Sequence, residues 1–130
     1  MNQHFNSWLG ASGLLMILTV FIHIFAGGPE ILVPTRASEL APVIVSVLSV
    51  IWHAITWILI LIAAALIWTA MRPNRGVVVL TVAIQLGLAA LFVLYGLSDL
   101  GSLMQMPQWI IFTSIPALTI VGLARDGASL

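Results

Sequence analysis

Two histidines stand in otherwise apolar sequence, His23 within Phe21-Ile22-His23-Ile24-Phe25 and His53 within Trp52-His53-Ala54-Ile55. Imidazole changes charge near neutral pH and is a common metal ligand, so their placement narrows where chemistry can occur. Three chemistries fit such a pair. With a carboxylate beside them, two neutral imidazoles can hold Zn²⁺ or another divalent ion, and two facing imidazoles can ligate haem iron axially. His23, His53 and Asp99 could instead relay protons. In the third case they line a cavity for a polar headgroup or small solute, with Tyr95 and Glu30 as further members.

These side chains must be positioned by membrane elements. The chain has 130 residues, 62% of them hydrophobic and 6% charged, against roughly 25% charged in a soluble domain. So few charges cannot cover a water-facing surface. Four apolar stretches, at about 8–26, 42–71, 76–97 and 108–124, are each long enough to cross a hydrocarbon core of about 30 Å. In lipid the backbone must satisfy its own hydrogen bonds, so each stretch is expected to be helical despite runs such as Val77-Val78-Val79. The predicted fold is all-α, an integral membrane four-helix bundle forming a single four-span domain. Met1 to Ser7 has no lysine or arginine, so the first span is expected to be a retained helix and not a cleaved signal.

Turn chemistry separates the spans. Gly27-Gly28-Pro29 is expected to close the first helix and open the longest loop, running to Pro42 and holding Glu30, Arg36 and Glu39. Arg72-Pro73-Asn74-Arg75-Gly76 reads as a tight charged turn. Arg72, Arg75 and Arg125 fall on one side and Arg36 on the other, which predicts N-in/C-in topology by the positive-inside tendency. Trp8 and Trp68 suit one aromatic belt, Trp52 and Trp109 the other. Pro116, inside the fourth span, is expected to kink it.

The few polar residues recur at helical spacing: Ser12, Met16, Thr19 and His23 on the first span; Ser46, Ser49, His53 and Thr56 on the second; Thr81, Gln85, Phe92, Gly96 and Asp99 on the third. Polar and small residues in membrane helices usually face neighbouring helices, so all three stripes are expected to turn inward. His23, His53, Tyr95, Asp99 and Glu30 would then converge on a pocket in the outer leaflet. Ala83 and Gly87 form a small-xxx-small pair that could support packing within the chain, a homodimer or a larger membrane complex.

Several functions are excluded or left without support. Zero net charge and the absence of lysine provide no basic surface for nucleic acid. The absence of cysteine removes thiolate metal sites, iron–sulfur clusters and thiol catalysis. Phosphate-binding loops, the H-E-x-x-H arrangement and a nucleophile elbow are also missing.

In size and span count the chain is similar to the small multidrug-resistance transporters. Their membrane-embedded glutamate in the first helix has no match, since the first span carries His23 and no acid, so their activity is not carried over. The histidine pair on neighbouring antiparallel spans resembles four-helix b-type cytochromes, although those usually hold more histidines. The expectation is a non-enzymatic, multi-pass protein of a bacterial inner membrane, acting as a binding or transport module or an accessory subunit. The alternatives are a haem- or metal-binding redox protein centred on His23 and His53, or an enzyme on a lipid or quinone with His53 or Asp99 as acid/base.

Overall fold

A computed structural model describes residues 5–127, all of its regular structure helical. Four helices are long and apolar enough to cross a membrane: α1 over Ser7–Arg36, α2 over Pro42–Met71, α3 over Arg75–Ser98 and α4 beginning at Gln108. Helix α4 extends to Gly127 and continues across Pro116, which is buried.

The start and stop signals act locally. The Asn6 side chain accepts hydrogen bonds from the Trp8 and Leu9 amides at 3.0 Å, capping α1. Pro42 opens α2, where its missing N–H costs nothing. Pro73 ends α2 by forcing Arg72 into extended geometry (φ −135°, ψ 89°). Asn74 then caps α3 through a 3.1 Å bond from the Val77 amide. Gly101, at φ +62°, makes the left-handed turn after α3.

The expected long loop after Gly27 does not form. Helix α1 runs through Gly27-Gly28-Pro29, with His23–Leu32 in the wider π register and Val33–Arg36 returning to α. A proline ring inside an α-helix collides with the carbonyl four residues back, and the π turn moves that carbonyl away. In lipid, a loop would leave backbone groups unpaired, whereas a widened helix keeps most of them bonded. The α1–α2 connection therefore shrinks to 37–41, shorter than the α3–α4 connection at 99–107.

One end of the molecule is tied tightly. The Asn6 amide nitrogen donates to the Ala70 carbonyl at 2.9 Å, and its Nδ2 donates to the Gly122 carbonyl at 3.0 Å. Arg125 lies over the Trp8 ring at 4.7 Å. Leu9, Ala70 and Val78 pack together beside these contacts. Close approach relies on small residues: a Cβ on Gly13 would lie 2.6 Å from Ile67 Cδ1, and one on Gly122 would lie 2.8 Å from Trp8 Cβ. Further along, Met16, Leu59, Leu66, Ala89, Phe112 and Ile115 form the main apolar core.

At the opposite end the helices are unequal. Helix α2 has 30 residues and α4 has 20, about 45 Å against about 30 Å. With the Asn6 end held in common, α1 and α2 reach past α3 and α4. The shorter pair is covered by the 99–107 connection, held by Trp109 Nε1 donating to the Leu103 carbonyl at 3.1 Å.

Two of the three polar stripes turn inward. Ser12, Met16 and Thr19 are buried, with His23 half-buried; Thr81, Gln85 and Gly96 are buried, with Phe92 half-buried and Asp99 exposed. The α2 stripe does not follow. Ser46 and His53 are exposed and Ser49 and Thr56 half-buried, because at about 100° per residue the second pair lies about 60° around the helix from the first. The α2 face in the core is Leu59, Ile62, Ala63 and Leu66. Exposed hydroxyls within the spans are satisfied by their own helix, as Ser114 is by the Ile110 carbonyl at 2.7 Å.

Candidate functional site

The overhang of α1 and α2 borders a partly open cavity of about 560 Å³ with the 99–107 connection on its far side. Leu59, Leu88 and Phe112 come from the apolar core side, Ile55 and Trp52 from the α2 wall, and Gln105 from the connection itself. The volume falls within the usual range for a small-molecule site, about 300–1,000 Å³. Most of the lining is hydrocarbon or aromatic.

The π segment determines which α1 residues reach this wall. His23, Gly27, Ile31 and Thr35 line it, with Ala26 and Glu30 beside them. Steps of four residues lie between an α turn of about 3.6 and a π turn of about 4.4; with His23–Leu32 in π register Thr35 stays within about 45° of His23 around the helix, whereas an unbroken α-helix would carry it about 120° away. Gly27 also lets α2 come close, since a Cβ there would sit 3.0 Å from the Trp52 ring.

His23 is fixed on two sides. Its ring stacks on Trp52 with centroids 4.1 Å apart and planes 14° apart, and Nε2 lies 3.0 Å from Thr56 Oγ1. The Thr56 hydroxyl in turn donates to the Trp52 carbonyl at 3.1 Å. Trp52 and Thr56 are one helical turn apart, so a single face of α2 supplies both contacts.

Of the residues expected to share a pocket, His23 and Glu30 meet on this wall, while His53, Tyr95 and Asp99 lie off it. His53 is exposed because it follows the Ser46 side of α2 and not the Thr56 side. Tyr95 is exposed near the end of α3, and Asp99, just beyond that end, accepts from the Ser98 hydroxyl. Ala83 and Gly87 are exposed too, so this pair is not used in packing within the chain. The actual partners of His23 are Thr56, part of a stripe visible in the sequence, and Trp52, which the spacing assigned to an aromatic belt.

The residues present do not fit the metal and haem alternatives. A divalent ion at such a site needs three or four ligating side chains, and among the described residues no three His, Cys, Asp or Glu lie together. Axial haem ligation needs two imidazoles facing one gap. His23 is instead stacked on Trp52 with Nε2 engaged, and His53 is not on the cavity wall.

No known family matches this chain. Comparison with characterised proteins and with solved structures likewise finds no match.

Proposed function

We propose that the chain is a small multi-pass membrane protein that binds an amphiphilic small molecule, as a binding or transport module or as the accessory subunit of a larger assembly. The supporting observation is the cavity itself: long apolar walls with a few polar side chains, His23, Glu30 and Thr35, along one side. Such a site solvates a hydrocarbon chain and orients its head. A solute that is polar throughout would lose its hydration without enough partners.

In this reading the helices form a four-span bundle in a bacterial inner membrane with both termini in the cytoplasm. The arginine distribution supports that orientation, since Arg72, Arg75 and Arg125 belong to the Asn6 end and Arg36 to the other. The cavity then belongs to the outer leaflet.

Delipidated protein in nanodiscs, titrated with a radiolabelled long-chain alcohol, should retain one equivalent saturably. Ile55→Trp, which fills the cavity from the α2 wall, should weaken retention at least about tenfold while the thermal transition stays cooperative; tenfold corresponds to about 1.4 kcal/mol. Retention proportional to the bilayer content of the alcohol, equal in both proteins, would show ordinary partitioning and end the proposal.

A further inference from the structure

We infer that the cavity takes one alkyl tail lengthwise, methyl end first, and selects it by length, with a limit of about thirteen carbons; this rests on the amphiphile reading above and specifies its ligand.

Polar and apolar lining separate along the helix axes. Towards the core the wall is Leu59 of α2, Leu88 of α3 and Phe112 of α4. Leu59 and Phe112 are themselves buried members of the main core, packed with Met16, Ala89 and Ile115, so the cavity ends against them. Thr19 also lies on that side, and its hydroxyl is engaged by the Leu15 carbonyl at 2.8 Å. Beyond His23, the polar lining is Glu30 and Thr35 in the last turns of α1, Gln105 in the 99–107 connection and Gln108 in the first turn of α4. Carboxylate, hydroxyl and amide groups between them both donate and accept, so neutral heads of either kind are satisfied there and discrimination falls on the tail. The reverse orientation would press the head against Leu59 and Phe112, where it loses its hydrogen bonds.

Helix α2 supplies the ruler. Leu48, Ile51, Trp52, Ile55 and Leu59 recur at steps of three and four residues and line the cavity as one stripe. The rise from Leu48 to Leu59 is about 16 Å at about 1.5 Å per residue. An extended alkyl chain with bonds of about 1.5 Å advances about 1.3 Å per carbon, so about thirteen carbons reach from the head end to the floor. Half of a hydrocarbon core of about 30 Å is nearly the same length, so a tail that fits one leaflet fits here. The volume of about 560 Å³ equals about nineteen water molecules at about 30 Å³ each, room for one such tail and its head. A longer tail must bend against the packed floor or lift its head away from Glu30 and Gln108, and either strains the fit.

The test is a series of alcohols that differ only in length, decanol, dodecanol, tetradecanol, hexadecanol and octadecanol, in neutral-lipid nanodiscs. Each competes against a fluorescent alkyl probe, with amounts expressed as mole fraction in the bilayer, which removes the general gain from leaving water. Affinity should peak at dodecanol or tetradecanol. Octadecanol should need at least about tenfold more to displace the probe, less than the effect of two misplaced methylenes. Leu88 forms part of the floor, so Leu88→Ala should move the peak to longer chains by about two carbons, and Leu88→Phe should move it to shorter ones. A peak that moves in the stated direction in either variant supports the inference. Affinity that is flat in chain length or rises through to octadecanol, or a peak unmoved in both variants, overturns the length inference and leaves chain binding standing. Failure of the probe itself to bind saturably overturns both.

Discussion

Asn6 joins three helices through one side chain and its own amide. Its Oδ1 caps α1, its Nδ2 reaches Gly122 and its backbone nitrogen reaches Ala70. Asn6→Ala should destabilise the protein by about 1–3 kcal/mol, read by denaturant unfolding in detergent, from the lost cap and the unsatisfied buried groups. Asn6→Ser keeps a capping oxygen and should cost less; equal loss in the two variants would assign the effect to Gly122 alone. The His23–Thr56 contact calls for a double-mutant cycle. His23→Phe and Thr56→Val should couple by about 0.5–1.5 kcal/mol, and strict additivity would mean the contact contributes nothing. At this scale the sequence was partly legible. His23 stands out because imidazole is costly among apolar residues, but its partner could be read only to within a helical face. Three residues along α2 separate His53 from Thr56, and that 60° rotation decides which of them meets α1.

Helix α1 shows where sequence rules made for water lose force. Gly27-Gly28-Pro29 has the composition of a turn, yet the helix passes through it in π register because leaving the helix would expose backbone in lipid. The other boundaries are legible since Pro42, Pro73 and Asn74 act on the backbone wherever they occur. The π register has a functional reading, because it keeps Thr35 on the same wall as His23. The chain has no cysteine, so Thr35→Cys is a unique labelling site. A bulky maleimide there should block probe binding, and adding Pro29→Ala, which permits α register, should remove the block by rotating residue 35 away. Blocking that persists unchanged in Pro29→Ala would separate the proline from the register. The α1–α2 contact is tested at Gly13. Gly13→Val places a methyl-bearing carbon against Ile67 and should cost about 1–3 kcal/mol by overpacking, with partial recovery in Gly13→Val/Ile67→Ala.

The whole molecule is a set of helices fastened at one end and unequal at the other, and the cavity follows from that inequality. The 30 residues of α2 against the 20 of α4 leave a volume that side chains do not fill and that the 99–107 connection only partly covers. The lengths of the second, third and fourth spans were visible in the sequence to within a few residues, whereas the first was expected to stop near 26 and runs to Arg36; the common anchor that turns a length difference into an overhang depends on Asn6 meeting Ala70 and Gly122, contacts far apart along the chain. Trp52 lies on the cavity wall, which makes it a built-in reporter. With the other four tryptophans, Trp8, Trp57, Trp68 and Trp109, changed to Phe, the remaining emission comes from Trp52 alone. Titrating this protein in nanodiscs with a long-chain alcohol brominated along its tail measures occupancy of the cavity directly. A ligand site predicts quenching that saturates at one alcohol per protein and is lost in Ala26→Phe, a non-fluorescent change that fills the cavity from the α1 wall. Quenching that climbs in proportion to bromine in the bilayer, unchanged by Ala26→Phe, would show Trp52 meeting only bulk lipid and would contradict the binding role.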